Sequence, residues 1–92
     1  MQSLPYRTLV RFPALCVATG RKPSAQYQDI AAGLFTKGVS IGRRAVGWPS
    51  DEVDAIITAR VAGWSDTELK QLVQHLHDQR KTAAARLLGG AQ

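Results

Sequence analysis

Ninety-two residues, 45% of them hydrophobic and 21% charged, make one small globular domain with a modest core. No apolar run approaches the ~20 residues that cross a bilayer, and the start lacks the basic-then-apolar pattern of a secretory signal, so neither a membrane protein nor a secreted one is expected. The net charge of +5 is unevenly placed: residues 1–50 hold seven cations against Asp29 alone, and residues 51–92 hold five against six carboxylates. A basic half beside a near-neutral half points to a face built for a polyanion, the plain alternative being a solvated surface.

Met1 to Tyr6 read as a loose lead, and Thr8 to Arg11 as one short extended segment. Pro13 suits the first turn of a helix, Leu15 to Ala18 give that helix an apolar body, and Thr19-Gly20 ends it. Cys16, the single cysteine, has no internal partner and reads as small apolar filler in a reducing setting, the bacterial cytoplasm. Arg21 and Lys22 form a turn. Pro23 opens a second helix that Gly33 stops. Two short helices joined by a turn containing glycine have helix-turn-helix spacing. On the second helix Tyr27, Ile30 and Ala31 stand at i, i+3 and i+4 and are expected to face the core. Ser24, Gln26 and Gln28 are then left for base edges or phosphates, or simply for solvent.

Gly33 to Trp48 is the most telling stretch. Phe35, Val39, Ile41 and Val46 are β-formers split by Gly42-Arg43-Arg44, the pattern of two short strands joined by a tight turn with two arginines at its tip. A helix followed by an arginine-tipped hairpin is how a winged helix meets DNA: one element enters a groove and the hairpin grips neighbouring phosphates. Lys37 stands at the hairpin's entrance. Trp48 is expected to be buried beside the hairpin; a base-stacking role is the other reading. Ser50 is placed as the N-cap of a third helix with Asp51 and Glu52 in its first turn, and Val53, Ile56, Ile57 and Val61 recur at helical spacing before Gly63. Ser65-Asp66-Thr67-Glu68 is a capping box, flanked by Trp64 and Leu69 as a hydrophobic staple. Leu69, Leu72, Val73 and Leu76 form an apolar stripe that packs on the chain's own core or on a neighbouring subunit. From Lys81 the chain has helix propensity but ends in Gly-Gly, and fraying is expected. The boundaries are therefore 1–63 for the DNA-binding domain, 64–82 for an extra helix and 83–92 for a flexible tail.

Chemistry is sparse. His75 and His77 are two apart on a helix, point to different faces and share no metal. No phosphate-cradling glycine loop follows a strand, and no nucleophile has a base beside it in sequence. No catalysis, cofactor or metal is expected.

The centre of the chain resembles the AlpA-like family of phage and mobile-element regulators, whose winged helix-turn-helix is shared with MerR-like proteins and many excisionases. The resemblance rests on Thr19-Gly20, Ser24, Tyr27, Gly33-Leu34-Phe35, Val39, Ile41-Gly42, the run Arg44-Ala45-Val46-Gly47-Trp48, and Glu52-Val53. It extends from about Thr8 to Arg60. It implies a mainly α fold with a small β-hairpin, here with an extra C-terminal helix. The implied function is a DNA-binding regulator of a prophage or integrative element, an excisionase (recombination directionality factor) or a transcriptional regulator. By position, Ser24, Gln26 and Gln28 would enter the major groove, and Arg43 and Arg44 would reach the minor groove or backbone. Many members carry a serine at Lys22, an arginine at Pro23, an aliphatic residue at Gln26 and an arginine at Gln28. Here the basic residues stand earlier, at Arg21 and Lys22, so the DNA sequence read would differ. Double-stranded DNA is the expected partner, bound with cooperative self-association and no membrane. The alternative is an adaptor that binds an integrase or RNA polymerase through the C-terminal helix.

Overall fold

The computed structural model describes residues 7–89, so the Met1–Tyr6 lead and the last three residues of the tail lie outside it. Four helices surround a small antiparallel sheet: β1 (Leu9–Arg11), α1 (Phe12–Thr19), α2 (Pro23–Ala31), β2 (Val39–Gly42), β3 (Ala45–Pro49), α3 (Ser50–Val61) and α4 (Asp66–Leu87). The architecture is a winged helix-turn-helix followed by a C-terminal helix. The helix starts and stops follow local rules. Pro13 and Pro23 sit in the first turns of α1 and α2, Gly20 takes a left-handed φ of 73° after α1, and Gly33 takes φ 80° after α2. The capping box of α4 is closed in both directions: Glu68 N–H donates to Ser65 Oγ at 3.2 Å, and Ser65 N–H donates to Glu68 Oε1 at 2.9 Å.

The hairpin forms where its glycines and β-formers place it, but it is not alone. β1 pairs with β3, Val10 opposite Trp48, giving a sheet of order β1-β3-β2. Between Ser40 and Gly42 the register slips by one residue. That bulge adds twist to the strand leading into the tip. Gly38 is required by close approach, since a Cβ there would run into Val46 Cγ1 and the Trp48 ring.

The core is built from Leu15, Phe35, Trp48, Val53, Ile56, Ala59, Leu69, Val73 and Leu76. The α4 stripe is therefore internal: Leu69, Val73 and Leu76 are buried and Leu72 packs against them. Of the two outcomes left open for the stripe, the chain's own core is the one it takes, and the possible interface on a neighbouring subunit is not available to its buried residues. A domain this small has few apolar surfaces, and this one is spent on its own interior. Trp48 is buried too, its indole N–H donating to the Thr36 carbonyl at 2.9 Å.

Four other expectations are corrected. Ser50 does not cap α3; its hydroxyl accepts from Thr8 N–H at 3.0 Å and its own N–H donates to Thr8 O at 2.8 Å, so it extends the β1–β3 pairing by one step. Val61 is exposed, and the buried position of that turn is Ala59. Leu15 alone of the α1 apolar body is fully buried; Cys16 is half-buried and Val17 lies in solvent. The boundary at 82 is also too early: α4 continues to Leu87 before Gly89 turns at φ 77°. Residues 82–88 are exposed, so this end is helical without packing, as its three consecutive alanines favour.

Candidate nucleic-acid interface

The α2 helix divides its residues differently from the reading of its apolar stripe. Ser24, Tyr27, Gln28 and Ala31, at i, i+3, i+4 and i+7, are all exposed and form the outer face. Gln26, Asp29 and Ile30 turn inward. Tyr27 is therefore not a core residue. It is 58% exposed and lies flat on Phe12, ring centroids 4.4 Å apart and 16° from parallel. Phe12 in turn meets Trp48 at 5.8 Å, which links α2 to the sheet through aromatic rings.

Gln26 is the clearest correction among the anticipated DNA contacts. Its exposure is 0%, and its Oε1 accepts from Thr19 Oγ1 at 2.7 Å, so in this structure it touches no surface. The inner face of α2 is polar, and a hydrophobicity pattern cannot find a polar inner face. One signal did exist: the aliphatic residue that many AlpA-like proteins carry at this position is a sign of burial.

Asp29, the lone acid of the first half, is the centre of the inner face. Arg21 grips it with two bonds, Nε to Oδ2 at 2.9 Å and Nη2 to Oδ1 at 3.0 Å, and Arg60 of α3 approaches at 3.7 Å. Arg21 is thus a clasp between the turn and α2 as well as a partly exposed cation. Fork-to-carboxylate geometry of this kind fixes orientation as well as adding energy.

The wing has its own fastening, which the sequence did not show. Arg80 of α4 holds the buried Glu52 through Nε to Oε2 at 2.7 Å and Nη2 to Oε1 at 2.6 Å. The same Nη2 donates to the Lys37 carbonyl at 2.8 Å, while His77 Nε2 accepts from the Lys37 N–H at 3.1 Å. Both polar groups of the Lys37 backbone are therefore tied to α4, at the root of the hairpin. Accepting at Nε2 requires a neutral imidazole. Burial, then the charges of Arg80 and Lys37, hold the His77 pKa below its ordinary value against the opposing pull of Glu52 and Asp78.

Several cations of the first half remain exposed and unpaired. Lys22 in the turn, Lys37 at the hairpin's entrance, and Arg43 and Arg44 at its tip make no ion pair among the described residues, and neither does Arg11 on β1. The tip is a two-residue turn in which Arg44 adopts φ 58°, a left-handed conformation uncommon outside glycine, asparagine and aspartate. Arg11 Nε donates to the Val46 carbonyl at 3.2 Å, placing a further cation along the sheet. Among the described residues no cluster of histidine, cysteine or acidic side chains could hold a metal, and no helix is long and apolar enough to cross a membrane.

A two-helix unit with a polar, solvent-facing second helix, followed by a cation-tipped hairpin on a three-stranded sheet, defines a protein of the winged helix-turn-helix class. The particular family follows from the comparison with family models. That of the prophage CP4-57 regulatory protein (AlpA) matches residues 8–61, more than half of the chain, and the chain belongs to this family. The match ends where α3 ends, so α4 lies beyond it. No curated protein and no solved structure matches the chain.

Proposed function

We propose that this regulatory protein binds double-stranded DNA, α2 entering the major groove and the β2–β3 hairpin lying along the adjacent backbone or minor groove. The observation that carries the reading is the sorting of charge. The carboxylates of Asp29 and Glu52 are consumed by Arg21, Arg60 and Arg80, while Lys22, Lys37, Arg43 and Arg44 stay free on the turn, the wing root and the wing tip. Ser24 and Gln28 are the candidates for base edges; Gln28 can pair bidentately with an adenine. Tyr27, between them on the outer face, joins the set, and Gln26 leaves it.

Family membership supports a role in prophage or integrative-element control, either directing an integrase toward excision or regulating transcription. An adaptor working through the α4 stripe has lost its surface, because that stripe is core. The exposed end of α4 is what an integrase or RNA polymerase would still have to grip. Cooperative self-association on DNA fits a domain too small to bend a duplex alone.

The test is a salt titration of binding to the element's attachment-site and promoter DNA. Affinity should fall steeply with salt, and Arg43→Ala with Arg44→Ala should weaken specific and non-specific binding alike and lower the salt slope by about 2. A folded double mutant with unchanged affinity would remove the wing from the interface. Binding that is flat in salt would remove the DNA reading altogether.

A further inference from the structure

The family match stops at residue 61, yet α4 reaches the part of the molecule where the proposed DNA contacts meet. The connection from α2 to β2 runs along one edge of this helix. At its start, the Cβ position of Gly33 lies 3.8 Å from Lys70 Cγ. Near its end, the Lys37 backbone is held by His77 and Arg80, at 3.1 and 2.8 Å. Helical spacing extends that edge: Lys70, His77 and Lys81 stand at i, i+7 and i+11, within about 20° of one line along the helix. Lys70 and Lys81 are exposed and make no ion pair among the described residues, and Lys37, whose backbone sits between their levels, is free in the same way. The carboxylates of α4 leave these cations unneutralised. Glu68 is committed to the capping box, Asp78 accepts from Gln74 Nε2 at 3.1 Å, and Asp66 stands beyond Lys70 in the first turn.

We propose that Lys70 and Lys81 bind DNA phosphates and, with Lys37, form a track for the backbone strand that passes between α2 and the wing. This rests on the DNA-binding reading above and extends it to a helix outside the family-matched segment. If α2 occupies a major groove and the hairpin lies on the adjacent backbone or minor groove, the strand dividing the two grooves crosses the connection between α2 and β2. That strand carries one charge per ~3.4 Å of duplex axis. Lys70 and Lys81 are about 16 Å apart along α4, so they address different phosphates. Lysine suits the task, because it is a point charge on a flexible stem and needs no fixed bidentate geometry. Contacts of this kind set register and orientation on the duplex and carry no sequence information. The opposite edge of α4 supplies a control. Arg86 faces a groove shared with Arg7, Asp51 and Asp78, away from the α2–β2 connection.

The test is affinity for a short mixed-sequence duplex across a salt series, since phosphate binding supplies essentially all of non-specific affinity. Lys70→Gln and Lys81→Gln should each lower the salt slope by about 1, and the double variant by about 2. Arg86→Gln removes the same charge from the other edge and should keep the parent slope. Both lysines lie in solvent, so circular dichroism and thermal melting should match the parent. A folded double variant with the parent slope would overturn the track. So would an equal fall in Arg86→Gln, because net charge would then account for the whole effect. The same series separates this inference from the reading beneath it. Parent binding that is flat in salt overturns both. Steep parent binding that Arg43→Ala with Arg44→Ala weakens, and the lysine changes do not, keeps the DNA reading and removes α4 from the interface.

Discussion

Two arginine–carboxylate clasps hold the helix-turn-helix turn and the wing, and they are built differently. Under the helix-turn-helix, Asp29 is 9% exposed by side chain, but Arg21 and Arg60 are 43% and 42% exposed. Under the wing, Glu52 is 2% exposed and Arg80 only 21%, and Arg80 also reaches the Lys37 backbone. The first clasp keeps its cations within reach of solvent and of any anion that approaches. The second is closed over by α4 and behaves as structure. The wing root is thus anchored more firmly than the turn before α2.

The largest test of this difference is Glu52→Ala. It leaves Arg80 partly buried without its anion and cuts one side of the wing root, and should cost about 3 kcal/mol, read as a fall in the urea midpoint with little change in slope. Asp29→Asn should cost only about 1 kcal/mol, since Arg21 and Arg60 turn back to water and solvent already screens them. Similar losses for the two variants would erase the distinction. The smallest effect is pH-dependent and belongs to the wing alone. The His77 pKa is held below its unfolded value of about 6.5, so its contribution is complete above that pH and is lost as pH falls through the depressed folded value. Stability should decline as pH falls through that window, and His77→Gln should flatten the decline. A parent protein whose stability is level across the window would show that the Lys37 N–H does not depend on this imidazole.

The hairpin and the helix limits were legible because they are local. Proline fixes a first turn, glycine supplies a left-handed stop, and a capping box closes on residues three apart. The stripe from Leu69 to Leu76 was legible as apolar, but not as to what it would cover, since one chain's periodicity carries no information about its partner. The proposed DNA-facing set was legible in part. Lys22, Ser24, Gln28, Arg43 and Arg44 are exposed where their spacing put them, while Gln26 and Tyr27 exchanged roles. The exchange has a plain cause. Tyr27 is amphipathic and finds its apolar neighbour, Phe12, at the surface, and Gln26 and Asp29 are polar and find their partners inside.

The sequence by itself therefore determined the class of fold, the order of elements, the cation-tipped hairpin and the family. Tertiary structure alone decided which cations are free and which are clasps. Arg21 and Lys22 are adjacent, yet one is bound and the other is not. Arg80 stands 28 residues from Glu52 and 43 from Lys37, and it meets both only because α4 folds back across α3 onto the base of the wing. An ion pair depends on separation in space, and over such distances along the chain that separation is set by how the helices pack.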